Sequence, residues 1–315
     1  MIPGYRIVRE VGRGGMGVVY EAVEEALGRT VALKVVAPER ASEEGFRERF
    51  VAESRMAASL DHPNVLPVFG AGETGEGVLW LSMRLVVGSD LRSLAPLPAA
   101  RAAAIVAQVG AALDAAHERR LVHRDVKAAN VMVTVSDHAY LTDFGLVKGL
   151  DHGSELTRTG EIVGTLDYLA PERIRGAGDG PAADLYSLGC LLYVALTGRP
   201  VFDLEGTEPK LWAHLSEPPP AVPGFEAVLA RALAKDPAER YETGAALGAA
   251  AVAAAASSDV TALPAFALDA DSPERIEARL RAARVDDQPG KPQRVAELAA
   301  QLARARRRGG GKHTT

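Results

Sequence analysis

Eight consecutive residues, His123-Arg124-Asp125-Val126-Lys127-Ala128-Ala129-Asn130, carry five groups that can donate, accept or hold charge. They stand between Leu121-Val122 and Val131-Met132-Val133, which predicts a loop between short strands. A carboxylate there can accept or orient a hydroxyl proton. A lysine two residues on can neutralise phosphate charge, and the Asn130 amide offers an oxygen to a hard cation. Thirteen residues after Asn130 comes Asp143-Phe144-Gly145. An acid at a strand end, beside a glycine that frees the turn, suits an Mg²⁺ ligand. Each piece has an ordinary counterpart: a solvated charged loop in the first case, a plain turn in the second.

Two further features belong to the same chemistry. Gly12-Arg13-Gly14-Gly15-Met16-Gly17 precedes the β-branched stretch Val18-Val19-Tyr20. A dinucleotide-binding turn would need a helix directly afterwards. A strand follows instead, so the glycines form a hairpin whose backbone can approach phosphates closely, or else a flexible surface hairpin. Lys34 lies inside the apolar run Thr30-Val31-Ala32-Leu33-Lys34-Val35-Val36. A lysine there is costly to bury unless it is paired. It is either an edge residue reaching for water or a phosphate clamp held by a carboxylate.

The elements that must position these groups can be read from periodicity. Tyr5 to Val11, Val18 to Tyr20, Thr30 to Val36 and Val78 to Val87 are predicted strands. One helix interrupts them, with Ser42 as its expected N-cap and Glu43 and Glu44 in the first turn. Phe46, Phe50, Glu53, Ala57 and Leu60 share one face of it, whereas Glu48 points elsewhere. A carboxylate on an inward stripe needs a cation, and Lys34 is the natural partner for Glu53. Beyond residue 90 the pattern turns helical: Ala99 to Arg119, Ser187 to Thr197, Glu226 to Leu233 and Thr243 to Ala256. A small β-rich lobe of residues 1–85 is therefore expected before a larger helical lobe of residues 86–256. Residues 257–315 read as a linker and a weakly helical, partly disordered tail.

Composition bounds the rest. Of 315 residues, 47% are hydrophobic and 24% charged, which is globular and excludes a fibrous or disordered chain. A single cysteine, Cys190, excludes a disulfide framework and a Cys-rich zinc site, and a reducing cytoplasm is the simplest setting. The net charge of −5 divides into −8 for residues 1–250 (25 Lys and Arg against 33 Asp and Glu) and +3 for residues 251–315 (11 against 8). An acidic body speaks against general nucleic-acid binding. Met1-Ile2-Pro3-Gly4 shows no basic stretch followed by an apolar run, and Ala245 to Ala256 is far short of the ~20 residues a span requires. A soluble, cytoplasmic chain is expected. Cys190, His117, His62 and His123 are expected to be structural, and Trp80 and Trp212 core or docking residues.

The ordered set, with Ala170-Pro171-Glu172, Asp184-Leu185-Tyr186-Ser187-Leu188-Gly189 and Arg240, resembles a bacterial eukaryotic-like (Hanks-type) serine/threonine protein kinase from residue 1 to about 256. The resemblance implies an α+β bilobal kinase fold and transfer of the ATP γ-phosphoryl group to protein hydroxyls with Mg²⁺ or Mn²⁺. By resemblance, Gly12, Arg13, Gly14, Gly15 and Gly17 cover the phosphates, and Lys34, held by Glu53, binds them. Asp143 and Asn130 hold the metal, Asp125 is the base and Lys127 contacts the γ-phosphate. Val19 and Ala32 roof the adenine, Met132 floors it, Met83 is the gatekeeper, and Leu85 and Val86 form the hinge. Arg84 stands where many relatives have an acid.

The same resemblance makes residues 146–169 an activation loop autophosphorylated at Thr157 and Thr159. Arg124, and Lys148 as a second cation, would pair with the phosphate. Thr165 would contact Asp125 and Lys127, and Glu172 would pair with Arg240. Partners implied are ATP, protein substrates and a weak homodimer through the small lobes, with no nucleic acid. The alternatives are a pseudokinase scaffold and a kinase acting on a small molecule. The intact ionic set argues against the first, and the Ala170-Pro171-Glu172 platform against the second.

Overall fold

The computed structural model describes residues 2–14, 17–42, 45–144 and 166–257. Gly15, Lys148, Thr157, Thr159, Thr165 and the tail from residue 258 lie outside the described residues.

Five antiparallel strands form the first sheet: β1 Tyr5–Gly14, β2 Gly17–Glu24, β3 Arg29–Val36, β4 Val68–Glu73 and β5 Leu79–Arg84, in the order β1-β2-β3-β5-β4. The period of two along β3 sorts its side chains. Val31 and Leu33 join Ile2 and Ala22 in a cluster on one face. Ala32 and Val36 join Phe46, Phe50, Leu81 and Met83 on the other. Lys34 shares the second face by parity, so it points toward the helix side of the sheet.

That side is covered by α2, Phe46–Ser59, which follows a short α1, Pro38–Ala41. The structure corrects one expectation here. Ser42 ends α1, with its hydroxyl donating to the Glu39 carbonyl at 2.8 Å, and is not the N-cap of the longer helix. Gly45, at φ +68°, starts α2 instead. A proline at the first position of α1 makes the earlier start possible. Phe46, Phe50 and Ala57 are buried as the pattern required.

The second lobe begins with β6, Gly88–Asp90, and α3, Leu91–Leu94. Its axis is α4, Ala99–Glu118, packed against α6, Pro181–Thr197, and α9, Gly244–Ser257. Small residues set the α4–α9 spacing. A Cβ on Gly110 would lie 2.4 Å from the Gly244 carbonyl oxygen, and one on Gly248 would lie 2.6 Å from Ala107 Cα. Among the described helices α4 alone is long and apolar enough to cross a membrane. Nine of its residues, from Ala102 to Ala116, are buried in this packing. Helix α6 starts six residues before the expected Ser187, at Pro181 in the first turn. Cys190 on α6 is fully buried, as expected. Three shorter helices complete the lobe: α5 Pro171–Ile174, α7 Thr207–Ser216 and α8 Glu226–Ala232. Trp212 on α7 is 60% exposed, which removes it from the core.

Candidate active site

A small sheet carries the ionic groups. Strand β7, Val131–Thr134, pairs antiparallel with β6 and with β8, Ala139–Leu141. Val131 stands opposite Leu141, and the Thr142 amide donates to the Asn130 carbonyl at 2.9 Å. Asn130 and Asp143 therefore leave the same end of the β7–β8 pair. The loop 123–130 approaches that end from α4, closed by a 3₁₀ turn over Ala128–Asn130.

Within the loop Asp125, Lys127 and Asn130 hold one another. Asp125 is buried at 6% exposure, with Lys127 Nζ 2.8 Å from its Oδ2. The Asn130 amide donates to the Asp125 carbonyl at 2.8 Å and to Oδ2 at 3.0 Å. With its nitrogen so engaged, Asn130 keeps Oδ1 as the atom able to meet a cation. Asp143 supplies the second oxygen donor, and an acid plus an amide oxygen fits Mg²⁺, which takes few protein ligands. The residues thus fit the metal that the resemblance implies.

Two histidines and an aspartate fix the loop from below. Asp184, on α6, is 2% exposed and accepts three bonds: from His117 Nε2 at 2.8 Å, from the His123 amide at 2.7 Å and from the Arg124 amide at 2.9 Å. His123 Nδ1 accepts from the Asp125 amide at 3.2 Å, so Nε2 carries the proton and donates to the Thr142 carbonyl at 2.9 Å. Burial pushes the His123 pKa down and keeps the ring neutral. His62 is likewise structural, with Nδ1 accepting from the Asn64 amide. Sequence reasoning noted the motif containing Asp184 but gave that residue no role. A buried acid in an otherwise apolar helix was the available signal.

Lys34 is 7% exposed, and its Nζ lies 2.7 Å from Asp143 Oδ1. The expected Lys34–Glu53 pair is not formed among the described residues. Asp143, at φ +57°, turns its carboxylate toward β3 and supplies the counter-charge instead. Glu53 Oε2 is buried without a hydrogen-bond partner. Burial raises the Glu53 pKa from 4.5 to about 7, against the pull of Arg124 and Arg49.

Above its unfolded pKa of 4.5, Glu53 binds its proton more tightly in the folded chain, so its contribution to stability falls as pH rises toward about 7. Glu53→Gln removes this effect. Its melting temperature should match the parent near pH 5 and exceed it at about pH 8. An equal difference at both pH values, read by calorimetry, would remove this account of Glu53.

Five of the adenine-pocket candidates come together. Ala32 and Met83 are cross-strand partners, and Val19, Leu85 and Val86 pack on the same cluster. Met132, on β7 in the second sheet, stands opposite Asp90 and is half-buried. Arg84 ties its guanidinium to the Tyr140 hydroxyl at 3.0 Å, so the departure at this position serves to join the lobes. The glycines differ in kind. A Cβ on Gly12 would meet nothing within 4 Å, so the fold itself leaves that position open to a ligand. A Cβ on Gly17 (φ +140°) would lie 2.0 Å from the Val35 carbonyl oxygen, so this glycine serves the sheet. Gly14 lies opposite Gly17, and the Arg13 guanidinium binds Glu10 on the same strand.

Farther out, Glu172 and Arg240 form the expected pair. Both guanidinium nitrogens Nη1 and Nη2 reach the carboxylate at 2.7 Å.

The protein kinase domain family matches residues 5–278. The serine/threonine-protein kinase PknD of Mycobacterium tuberculosis is 42% identical over 250 residues, 75% of this chain and 37% of PknD. PknE of Mycobacterium bovis is 44% identical over 267 residues, 81% of this chain and 47% of PknE. The chain thus spans less than half the length of these relatives. The crystal structure of the M. tuberculosis PknI kinase domain superposes with a TM-score of 0.66 at 34% identity, covering 81% of this chain and 96% of that one. The chain belongs to the protein kinase family, within its bacterial, Hanks-type serine/threonine branch.

Proposed function

We propose that this chain transfers the γ-phosphoryl group of ATP to serine and threonine hydroxyls of proteins, itself included at Thr157 and Thr159. The convergence of Asp125, Lys127 and Asn130 with Asp143 and Lys34 at one end of β7–β8 carries the reading. Phosphoryl transfer asks a protein mainly for positioning and charge stabilisation. Asp125 orients the acceptor hydroxyl and holds its proton at the carboxylate. Lys127 and Lys34 offset phosphate charge, and the open backbone at Gly12 lets the phosphates approach. Asn130 and Asp143 would hold Mg²⁺, or Mn²⁺, which when bound supplies further charge neutralisation. Val19, Ala32, Met83, Leu85, Val86 and Met132 offer the adenine an apolar slot.

The catalytic unit is assigned to residues 1–256, which end within one residue of α9. Its need for ATP and its buried thiol favour a cytoplasmic setting. Exposed Ile7, Val8 and Val11 on β1 support weak pairing of two small lobes.

Incubation of the pure chain with labelled ATP, Mg²⁺ or Mn²⁺ and a generic protein tests the reading. Label is expected on serine and threonine of the substrate and, by mass spectrometry, on Thr157 and Thr159. Lys34→Ala should lower incorporation by at least about a hundredfold, since one placed cation at a transferring phosphoryl group is worth roughly that much. An unlabelled wild-type reaction, or equal labelling by Lys34→Ala, would overturn the proposal.

A further inference from the structure

Arg173 and Asp179 touch none of the reacting groups, yet their side chains are largely covered beside the catalytic loop. Arg173, on α5, is 11% exposed at its side chain, and Asp179 is 4% exposed. Their approach is made by the turn between α5 and α6. Gly176 and Gly178 hold φ values of +69° and +117°, and this reversal brings Asp179 back to Arg173. Arg173 Nε then lies 2.6 Å from Asp179 Oδ1. The other end of the guanidinium donates from Nη1 to the Arg124 carbonyl at 2.7 Å.

That carbonyl is a demanding one. Arg124 has φ +64°, a left-handed backbone conformation that a non-glycine residue keeps only where its surroundings impose it. Asp184 grips it from one side, through the Arg124 amide at 2.9 Å. Arg173 grips it from the other. The Arg124 carbonyl and the Asp125 amide belong to one peptide plane. Arg173 holds the oxygen edge of that plane, and His123 Nδ1 holds the nitrogen edge. The tilt of the plane sets where the Asp125 side chain leaves the backbone.

We propose that Arg173, held by Asp179, is a positioning residue that fixes the Arg124–Asp125 peptide plane and with it the aim of the Asp125 carboxylate. The inference rests on the phosphoryl-transfer reading given above. It also links the substrate side of the molecule to the reacting side, because α5 begins with Pro171 and Glu172. A guanidinium is suited to the task. Its rigid fork spans an acid and a carbonyl at once, whereas an ammonium offers a single point of charge.

The test uses the full chain and the variants Arg173→Ala, Arg173→Lys and Asp179→Ala. In Arg173→Ala, kcat should fall about tenfold to a hundredfold, as small misplacements of a reacting group do. The KM for ATP should stay within about twofold, because Lys34 and Asp143 are untouched. Arg173→Lys should recover part of the loss, and Asp179→Ala should lose less than Arg173→Ala. Melting temperature identifies any variant that fails to fold, and the remaining folded variants then decide. Folded Arg173→Lys and Asp179→Ala with wild-type kcat would overturn the proposal, as would a change confined to KM.

Amide hydrogen exchange at Asp125 gives a readout independent of turnover. It should accelerate about tenfold or more in Arg173→Ala. Unaltered exchange there overturns the positioning role even if transfer occurs. Faster exchange in a chain that transfers no phosphate would instead count against the reaction.

Discussion

An Asp125→Asn chain will fold, bind ATP with near wild-type affinity and lose about 10³-fold in phosphoryl transfer, within the range expected for a positioned general base. The substitution preserves shape, so the buried site at residue 125 keeps its packing. What it removes is charge and one acceptor. Oδ2 of Asp125 receives both Lys127 Nζ and the Asn130 amide, at 2.8 and 3.0 Å. A carboxamide whose oxygen takes the Oδ2 position still receives both partners and places an NH₂ at Oδ1. The acceptor hydroxyl then meets a group that cannot take its proton. ATP contacts assigned to Lys34 and the glycine hairpin are untouched, so the effect falls on kcat. Turnover within about tenfold of the parent would show that Asp125 is not the proton acceptor.

Much of this site is legible in the sequence because it is local. Asp125, Lys127 and Asn130 sit within six residues, and Asp143 follows two residues past the adjacent strand of one hairpin. The hydrogen-bond ladder of β7 and β8 brings those groups together with no help from distant parts. Lys34 was legible for a different reason: a cation in an apolar strand demands a counter-charge. Its partner was not. Glu53 was the expected partner, and the left-handed turn at Asp143 brings that carboxylate to Lys34 instead. Periodicity sets which face a side chain takes but not how its last carboxylate turns.

The supports of the site are least legible. Asp184 lies sixty residues and more from the amides and imidazole it accepts from, and Arg173 forty-nine from the carbonyl it donates to. Such contacts depend on how α5 and α6 dock under the loop, which no local pattern encodes. The short helix α1 was missed for a related reason. Ser42 and the acids after it offer a good helix start, but Pro38 offers an earlier one, and tertiary packing of Ala41 selects it.

The largest loss of stability should come from Arg240→Ala. The guanidinium is fully buried, and each of its nitrogens has a partner: Glu172 at both carboxylate oxygens, the Ala182 carbonyl at 2.8 Å and the Ala234 carbonyl at 2.9 Å. Its Cζ also stands 4.8 Å over the Tyr186 ring. Truncation leaves a nearly buried Glu172 carboxylate without its cation and strands two carbonyls. Breaking a buried pair in this way costs about 3–5 kcal/mol. For a domain of this size that corresponds to a fall of roughly 10 °C in melting temperature. Arg240→Lys should recover little, because one ammonium cannot serve a bidentate carboxylate and two carbonyls at once. The loss should also be insensitive to added salt, since screening acts on exposed charges. Adding Glu172→Gln to Arg240→Ala should restore part of the loss, because the orphaned charge is then gone. A fall of less than about 2 °C in Arg240→Ala would place the anchor of this platform elsewhere than in the Glu172–Arg240 pair.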